Sequence, residues 1–412
     1  MSIVDDGCGV LDTHVTWDDI QDHLYLAFGR DASMGVDKTI NEITEANGFA
    51  SKMCILEPNF SNESLPKKLI VKILSLASAN NAVNKINIDS DTLNTNLVDE
   101  NEKRAKAFSM YHNHEVLTYN LLNSIEDMNY PIVKVYSSQA ISLPENPTKG
   151  FIIMEYLENI ENIHLDSCFD DRIMSEVLRA TAKIHSSTRY MNDENKENLK
   201  LGTYKELFRP ILRPEFITSS LALTKRFLGE EEEAAIVEAE EICKKMGTQE
   251  MRNLFDQTCE VLDMKPVLLH GDLWVTNVAL QKNAEGEVNM KAIIDFQGAH
   301  IGSLAHDLVR LFCSVLPAED FEELSVKYLK EYYEYLKEYS SEESLPGSFE
   351  QVLESFYRLL PIGAFIIAST MTLIHKLVAE RRADPQKTSQ IIRDKCIVLI
   401  KLIPKYYERY YS

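Results

Sequence analysis

The sequence predicts an α+β fold of two lobes, a small sheet-rich lobe at 1–156 and a large helical lobe at 157–412. Three observations predict it. The chain has 412 residues, more than one compact core usually holds. Short apolar or alternating runs gather before Tyr156, at 49–57, 69–74, 132–137 and 151–156, and read as strands. After Tyr156 a helical period dominates at 170–190, 205–263, 304–338 and 349–411, and strand signals shrink to 267–269, 277–281 and 290–295.

The elements follow in order. TWDDIQDHLYLAFGR at 16–30 reads as an opening helix, with Thr16 as N-cap, acids in the first turn and an apolar face at 20, 24, 27 and 28. LIVKIL at 69–74 reads as a strand with Leu69, Val71 and Ile73 on one face and Ile70, Lys72 and Leu74 on the other. A polar stretch rich in Asn, Asp and Ser predicts an insertion at about 78–106, and a helix is expected at about 104–125. The acidic run GEEEEAA at 229–235 reads as a solvated helix start. Leu359–Ile374 is the longest apolar stretch, but it holds Pro361, Ser369 and two threonines and falls short of the ~20 residues of a membrane span, so it reads as a buried helix.

Composition narrows the function classes. Sixty-four acidic against 43 basic residues give a net charge of −21, which argues against nucleic-acid binding and against anionic membranes. Seven dispersed cysteines without a C-x-x-C pair argue against a disulfide framework and a structural zinc site. The segment MSIVDDGCGV has acids where a secretory leader carries basic residues, so a cytoplasmic protein with no membrane insertion is expected. Oligomeric state leaves no signal in the sequence.

Two phrases carry chemistry. In LLHGDLWVTNVAL at 268–280 an apolar strand feeds a loop with His270, Asp272 and Asn277. In KAIIDFQGAHIG at 291–302, Ile293 and Ile294 lead to Asp295 at an expected strand end. Two carboxylates and an amide on loops beside buried strands suit phosphoryl transfer. Asp272 can orient and accept the proton of an attacking hydroxyl, while Asn277 and Asp295 offer hard oxygens to Mg²⁺. The bland alternative is a core histidine followed by an aspartate that caps its own turn.

Nucleotide-handling residues are then sought upstream. Lys72 sits mid-strand and Glu115, in MYHNHEVLTYNLL, on the next helix; a buried Lys72–Glu115 pair would aim an ammonium at the α/β-phosphates of ATP. FIIMEYLEN at 151–159 fits a hinge, with Met154 behind an adenine and the backbone of Glu155 and Leu157 at its edge. ANGFASK at 46–52 holds one glycine, Gly48; Ser51 is the candidate phosphate contact, with Lys52 a weaker one. Asp307, in GSLAHDLVRLF, opens a helix after Asp295, and the resemblance of these phrases to kinase-like phosphotransferases implies that it braces the catalytic loop; His185 reads as a packed helix histidine and His300 as a loop residue, and neither receives a chemical role.

With these residues in hand, the chain resembles the ecdysteroid-kinase-like (CHK kinase-like) family, in the choline kinase and aminoglycoside phosphotransferase superfamily. More narrowly it is similar to the nematode branch catalogued as a domain of unknown function. The phrases HGDLWVTN, IIDFQ and G-S-x-x-x-D-L-x-R-L-F and the helix around Glu115 carry the resemblance, over about residues 16–405. It implies a protein-kinase-like bilobal fold, ATP, Mg²⁺ and phosphorylation of a hydroxyl on a small molecule such as a steroid, glycoside, xenobiotic conjugate or amino alcohol. Two alternatives stay open. One is a choline or ethanolamine kinase, for which Tyr332, Tyr333, Tyr335 and Tyr339 could offer aromatic faces to a cation. The other is a catalytically silent pseudokinase that binds or scaffolds, which the glycine-poor loop and Gln297 after Asp295-Phe296 permit. A protein kinase fits poorly, since no A-P-E-type segment separates Asp295 from the Asp307 helix.

Overall fold

The computed structural model describes residues 3–43, 51–76, 97–125 and 128–411. These divide into two compact units. The first holds the described residues up to 125 together with Val133–Glu158; the second holds those from 128 to Ile132 together with Asn159 onward.

In the first unit, helix α1 (Trp17–Phe28) starts at a capping box. Thr16 Oγ1 accepts the Asp19 N–H at 3.2 Å and Asp19 Oδ2 accepts the Thr16 N–H at 2.7 Å, so two orphan donors are satisfied reciprocally. The strands are β1 (Thr39–Glu42), β2 (Ser51–Glu57), β3 (Leu69–Leu74), β4 (Val135–Gln139) and β5 (Phe151–Glu155), with helix α2 (Leu97–Ser124) between β3 and β4. They form one antiparallel sheet in the order β1-β2-β3-β5-β4. Leu69, Val71 and Ile73 on one face of β3 join Cys54, Leu56, Phe151 and Ile153 in a core closed by Ile20 and Leu24 of α1. Period-2 alternation then puts Ile70, Lys72 and Leu74 on the opposite face. All six β3 residues are buried, so Lys72 is enclosed among apolar neighbours.

The structure moves several expected boundaries. Strand β1 was not expected; four residues with no buried position leave no apolar pattern to read. Helix α2 begins at Leu97, inside the expected insertion, and the segment 77–96 lies outside the described residues, as do 44–50 with Gly48.

The second unit is mostly helical: α3 (Asp171–Ser186), α4 (Pro214–Leu228) and α5 (Glu233–Met246) precede two small antiparallel strand pairs. Strand β6 (Val267–Leu269) pairs with β9 (His300–Gly302), and β7 (Val278–Lys282) with β8 (Val288–Ile293). Helices α6 (Ala305–Val315), α7 (Phe321–Tyr339), α8 (Phe349–Glu380) and α9 (Pro385–Tyr411) follow. By length and composition α8 could cross a membrane, its apolar window having a mean hydropathy of 1.7. Leu359, Leu360, Ile362, Phe365, Ile366 and Ile367 are nevertheless buried within this unit, as a core helix requires. A Cβ on Gly363 of α8 would lie 2.2 Å from Val309 Cγ1 of α6. A bare glycine therefore lets the two helices approach, and α6 is the helix that carries the residues behind the candidate site.

Candidate active site

The buried strand β6 ends at His270, and the loop after it is built on backbone hydrogen bonds. His270 Nε2–H donates to Ile294 O at 2.8 Å, and its Nδ1 accepts the Asp272 N–H at 3.2 Å. One imidazole thus joins the 270–277 loop to the segment that leads into Asp295. Gly271 follows with φ +79°, and a Cβ there would stand 1.8 Å from Gly298 O. Only glycine serves at 271, both for its backbone angle and for its close approach to the second loop.

Asp307 holds the same loop from beneath. Its Oδ2 accepts the His270 N–H at 2.7 Å and its Oδ1 the Gly271 N–H at 2.9 Å. His185 Nε2 lies 3.1 Å from Asp307 Oδ2 and its Nδ1 2.6 Å from the Tyr332 hydroxyl. Burial works to raise the Asp307 carboxyl, but the His185 hydrogen bond and the neighbouring histidines outweigh it and hold the group well below the carboxylate range. Asp307 thus ties the backbone of His270 and Gly271 to α6. His185, read as a packing residue, packs against it as a hydrogen-bonded prop.

Two further histidines complete the support. His306 gives Nε2–H to Gly271 O at 3.0 Å and faces the Tyr204 hydroxyl with Nδ1, and burial lowers its pKa to about 3. His300, expected in a loop, lies in β9; it donates Nδ1–H to Gly298 O at 2.7 Å and meets Thr203 Oγ1 at 2.6 Å. Four buried histidines thus act as hydrogen-bonding posts.

On this support stand the three residues singled out for chemistry. Asp272 is a quarter exposed, and its Oδ1 accepts from Arg310 Nη2. Burial raises its carboxyl above the ordinary value, Arg310 opposes that, and Asp295 adds to the rise. A single 3₁₀ turn, Val275–Asn277, is tied to α6 by the Val275 N–H to Ser314 Oγ at 3.0 Å and brings Asn277 back to Asp272. The Asn277 amide donates Nδ2–H to the Asp272 carbonyl at 2.8 Å and lies 3.4 Å from Asp272 Oδ2. This fixes the amide and turns its Oδ1 away from Asp272. Strand β8 ends at Ile293, so Asp295 is two residues past the strand end expected for it. It takes a left-handed backbone, φ 68° and ψ 65°, uncommon for a non-glycine residue and costing about 1–2 kcal/mol. Such strain survives only where surrounding contacts over-determine it, and it gathers at functional sites.

The donor set suits a hard divalent cation. Asn277 Oδ1 and the Asp295 carboxylate are oxygen ligands of the kind Mg²⁺ accepts alongside substrate phosphates and waters. Among the described residues no group of three His, Cys, Asp or Glu side chains forms an all-protein metal cage.

In the first unit Lys72 Nζ meets Glu115 Oε1 at 2.9 Å and Oε2 at 2.7 Å, with both side chains buried. Ser51 opens β2 opposite Leu74 and is buried. Lys52 is drawn elsewhere: its Nζ donates to Leu11 O at 2.7 Å and lies 3.9 Å from Glu42. Met154 is buried on β5 opposite Ile70; Glu155 accepts the Lys134 N–H through Oε1 at 2.7 Å, and Leu157 lies half-buried beyond the strand.

Sequence reading missed Arg310 and Gly298. Arg310 sits in the apolar phrase LVRLF, three residues after Asp307, and that i, i+3 spacing was the available signal. Gly298 stands one place later than the glycine sought after Asp295-Phe296, and it is the residue that meets Gly271.

The chain is similar to several known proteins. A family model, DUF1679, described as "Uncharacterized oxidoreductase dhs-27", matches residues 3–410. The uncharacterized kinase-like protein D1044.1 of Caenorhabditis elegans is 25% identical over 246 residues, 59% of this chain and 60% of that protein. The matched stretch thus spans about three-fifths of that relative's length. Among solved structures, Plasmodium vivax ethanolamine kinase aligns over 90% of this chain and 83% of its own at 10% identity and a TM-score of 0.45. The streptomycin–ATP complex of the aminoglycoside phosphotransferase APH(2")-IIa aligns over 91% and 99% at 14% identity and a TM-score of 0.41. The chain belongs to the DUF1679 family.

Proposed function

We propose that the protein is an ATP- and Mg²⁺-dependent phosphotransferase that moves a phosphoryl group onto a hydroxyl of a small molecule. The observation that carries this reading is the second unit's loop pair. Asp272, three-quarters shielded and partnered on one oxygen, stands beside Asn277 and near Asp295, on a loop held by buried histidines and Asp307.

The residues have distinct tasks. Asp272 orients the acceptor hydroxyl through a carboxylate oxygen and takes its proton as the oxygen attacks the terminal phosphorus. Burial raises its affinity for that proton. Asn277 and Asp295 hold Mg²⁺, which when bound neutralises charge on the transferring phosphates. In the first unit Lys72, fixed by Glu115, supplies a cation for the α/β-phosphates, and the segment through Met154, Glu155 and Leu157 offers backbone groups to the adenine edge. Ser51 contributes at the phosphates. Positioning and charge compensation supply most of the rate in such transfers. The acceptor is a hydroxyl on a steroid, glycoside, xenobiotic conjugate or amino alcohol.

Other readings have less behind them. The four α7 tyrosines proposed for a quaternary ammonium are already engaged within the chain. Tyr332 bonds His185, Tyr335 and Tyr339 pair with Arg179 and Lys183, and Tyr333 faces Lys337. This weighs against choline or ethanolamine as the acceptor. A dinucleotide oxidoreductase, the activity in the family's printed description, finds no G-x-G-x-x-G among the 15 glycines and no parallel sheet among the described residues.

A thermal-shift titration with MgATP, on wild type and on Asp295→Ala, tests the reading. Stabilisation of about 2.7 kcal/mol is expected at a hundredfold excess of ligand over Kd, and it should vanish without Mg²⁺ or in the variant. A wild type unmoved by millimolar MgATP contradicts the phosphotransferase and favours the scaffold.

A further inference from the structure

One residue close to Asp272 has no part in the proposed chemistry so far. Arg310 lies on α6, one turn after Asp307, so a single helix face reaches the loop twice. Asp307 takes the backbone N–H groups of His270 and Gly271, and Arg310 takes the side chain of the next residue, Asp272. The guanidinium is buried, at 5% exposure, with its carbon 4.8 Å from the centre of the Phe208 ring. Its Nη2 meets Asp272 Oδ1, while Nε and Nη1 are buried and have no partner among the described residues. A guanidinium confined this way gives up hydration and recovers one hydrogen-bonded partner. An apolar side chain packed on Phe208 would fill the same space without that loss, so general packing does not account for an arginine here. What the arginine adds is its hold on Asp272.

The hold is one-sided. Oδ1 is taken by Arg310, whereas among the described residues Oδ2 has only the 3.4 Å approach of Asn277 Nδ2. We propose that Arg310 is a positioning residue: by clamping one oxygen of Asp272 it locks the carboxylate rotation and presents the other oxygen to the acceptor hydroxyl. The inference rests on the phosphotransferase reading. Arg310 acts through Asp272 alone, without touching nucleotide or acceptor, and that restriction makes it testable.

The experiment is a double-mutant cycle on the full chain. ADP release from MgATP, with water as acceptor, and MgATP affinity by thermal-shift titration are measured for wild type, Arg310→Gln, Arg310→Lys, Asp272→Asn and the Asp272→Asn/Arg310→Gln double variant. Arg310→Gln is expected to lower turnover about 10–100-fold with nucleotide affinity within about twofold of wild type, and Arg310→Lys to recover part of the loss. In the Asp272→Asn background the same change should cost less than about twofold, since the side chain that Arg310 orients can no longer take the proton. Arg310→Met, which keeps the stem on Phe208, replaces Arg310→Gln should that variant not fold. An equal loss in both backgrounds, a parallel fall in MgATP affinity, or unchanged turnover in Arg310→Gln overturns the positioning role while leaving the phosphotransferase standing. A wild type that neither binds MgATP nor releases ADP removes the phosphotransferase reading, and this role with it.

Discussion

Among the described residues each unit sets a lysine or arginine against a carboxylate at its candidate functional residues, and the two pairs are built differently. In the first unit Lys72 gives its ammonium to both oxygens of Glu115, and the two side chains are 7% and 1% exposed. In the second, Arg310 gives one nitrogen to one oxygen of Asp272, which stays 25% exposed, while two guanidinium nitrogens are buried without a partner among the described residues. The first pair is closed and has its charge compensated in a nearly dry site. The second is lopsided, with an oxygen of the carboxylate left for another partner. A buried charge that serves by standing still calls for the first design, and a carboxylate that must meet a substrate calls for the second. Neither pair is evidence of net stability, since desolvation offsets most of the attraction.

Breaking the pairs separates the two designs, with the larger effect in the first unit. Glu115→Leu takes the paired carboxylate away from a buried ammonium and should destabilise the protein by about 3–5 kcal/mol. Arg310→Gln removes a cation that already had two dry nitrogens, each costing about 1–3 kcal/mol, and leaves a carboxylate that water can reach. Its cost should fall below that of Glu115→Leu, and urea unfolding of both variants measures the gap. Equal costs would mean that the pairs are energetically alike.

Acid sharpens the comparison by a smaller margin. Burial depresses His112 in the first unit to about 4, His164 in the second to about 4 and His306 in the second to about 3. Between each of these values and the ordinary 6.5 the unfolded chain binds the extra proton, so stability falls as pH drops from about 6.5 toward 4. A buried histidine shifted this far costs about 3 kcal/mol at pH 4. Asp307 has its value depressed, so its contribution is present above 3.8 and is lost only at lower pH. The second unit, with two such histidines, should loosen first. Trp17 reports on the first unit and Trp274 on the second, so fluorescence of Trp274→Phe and Trp17→Phe variants follows each one alone. Stability that stays flat down to pH 4 would contradict neutral, buried His112, His164 and His306.

What was legible in the sequence divides along physical lines. The two-part α+β architecture follows from periodicity, because β3 and β5 are continuous buried runs and the later helices are long. The Lys72–Glu115 contact was legible because a lysine inside an apolar strand needs a partner and the next helix offered one. His270, Asp272, Asn277 and Asp295 stood out by their polar character at the ends of apolar runs. The support beneath them did not stand out. His185, His306 and Arg310 lie on helices where a polar residue usually faces water, and only the packing of α3, α6 and α7 turns them inward. Strands β1 and β9, of four and three residues, are too short to carry a period. The left-handed turn at Asp295 was hidden as well, since it has no glycine to mark it.

The central claim, that Asp272 serves as the base of a phosphotransferase, is tested most directly by Asp272→Asn. The amide keeps the shape of the side chain and removes its capacity to take a proton. MgATP should stabilise the variant as it does the wild type, while ADP release, with water or with any acceptor found by screening hydroxyl compounds, falls by about 10²–10⁴-fold. Turnover equal to wild type in a variant that still binds MgATP would contradict the account.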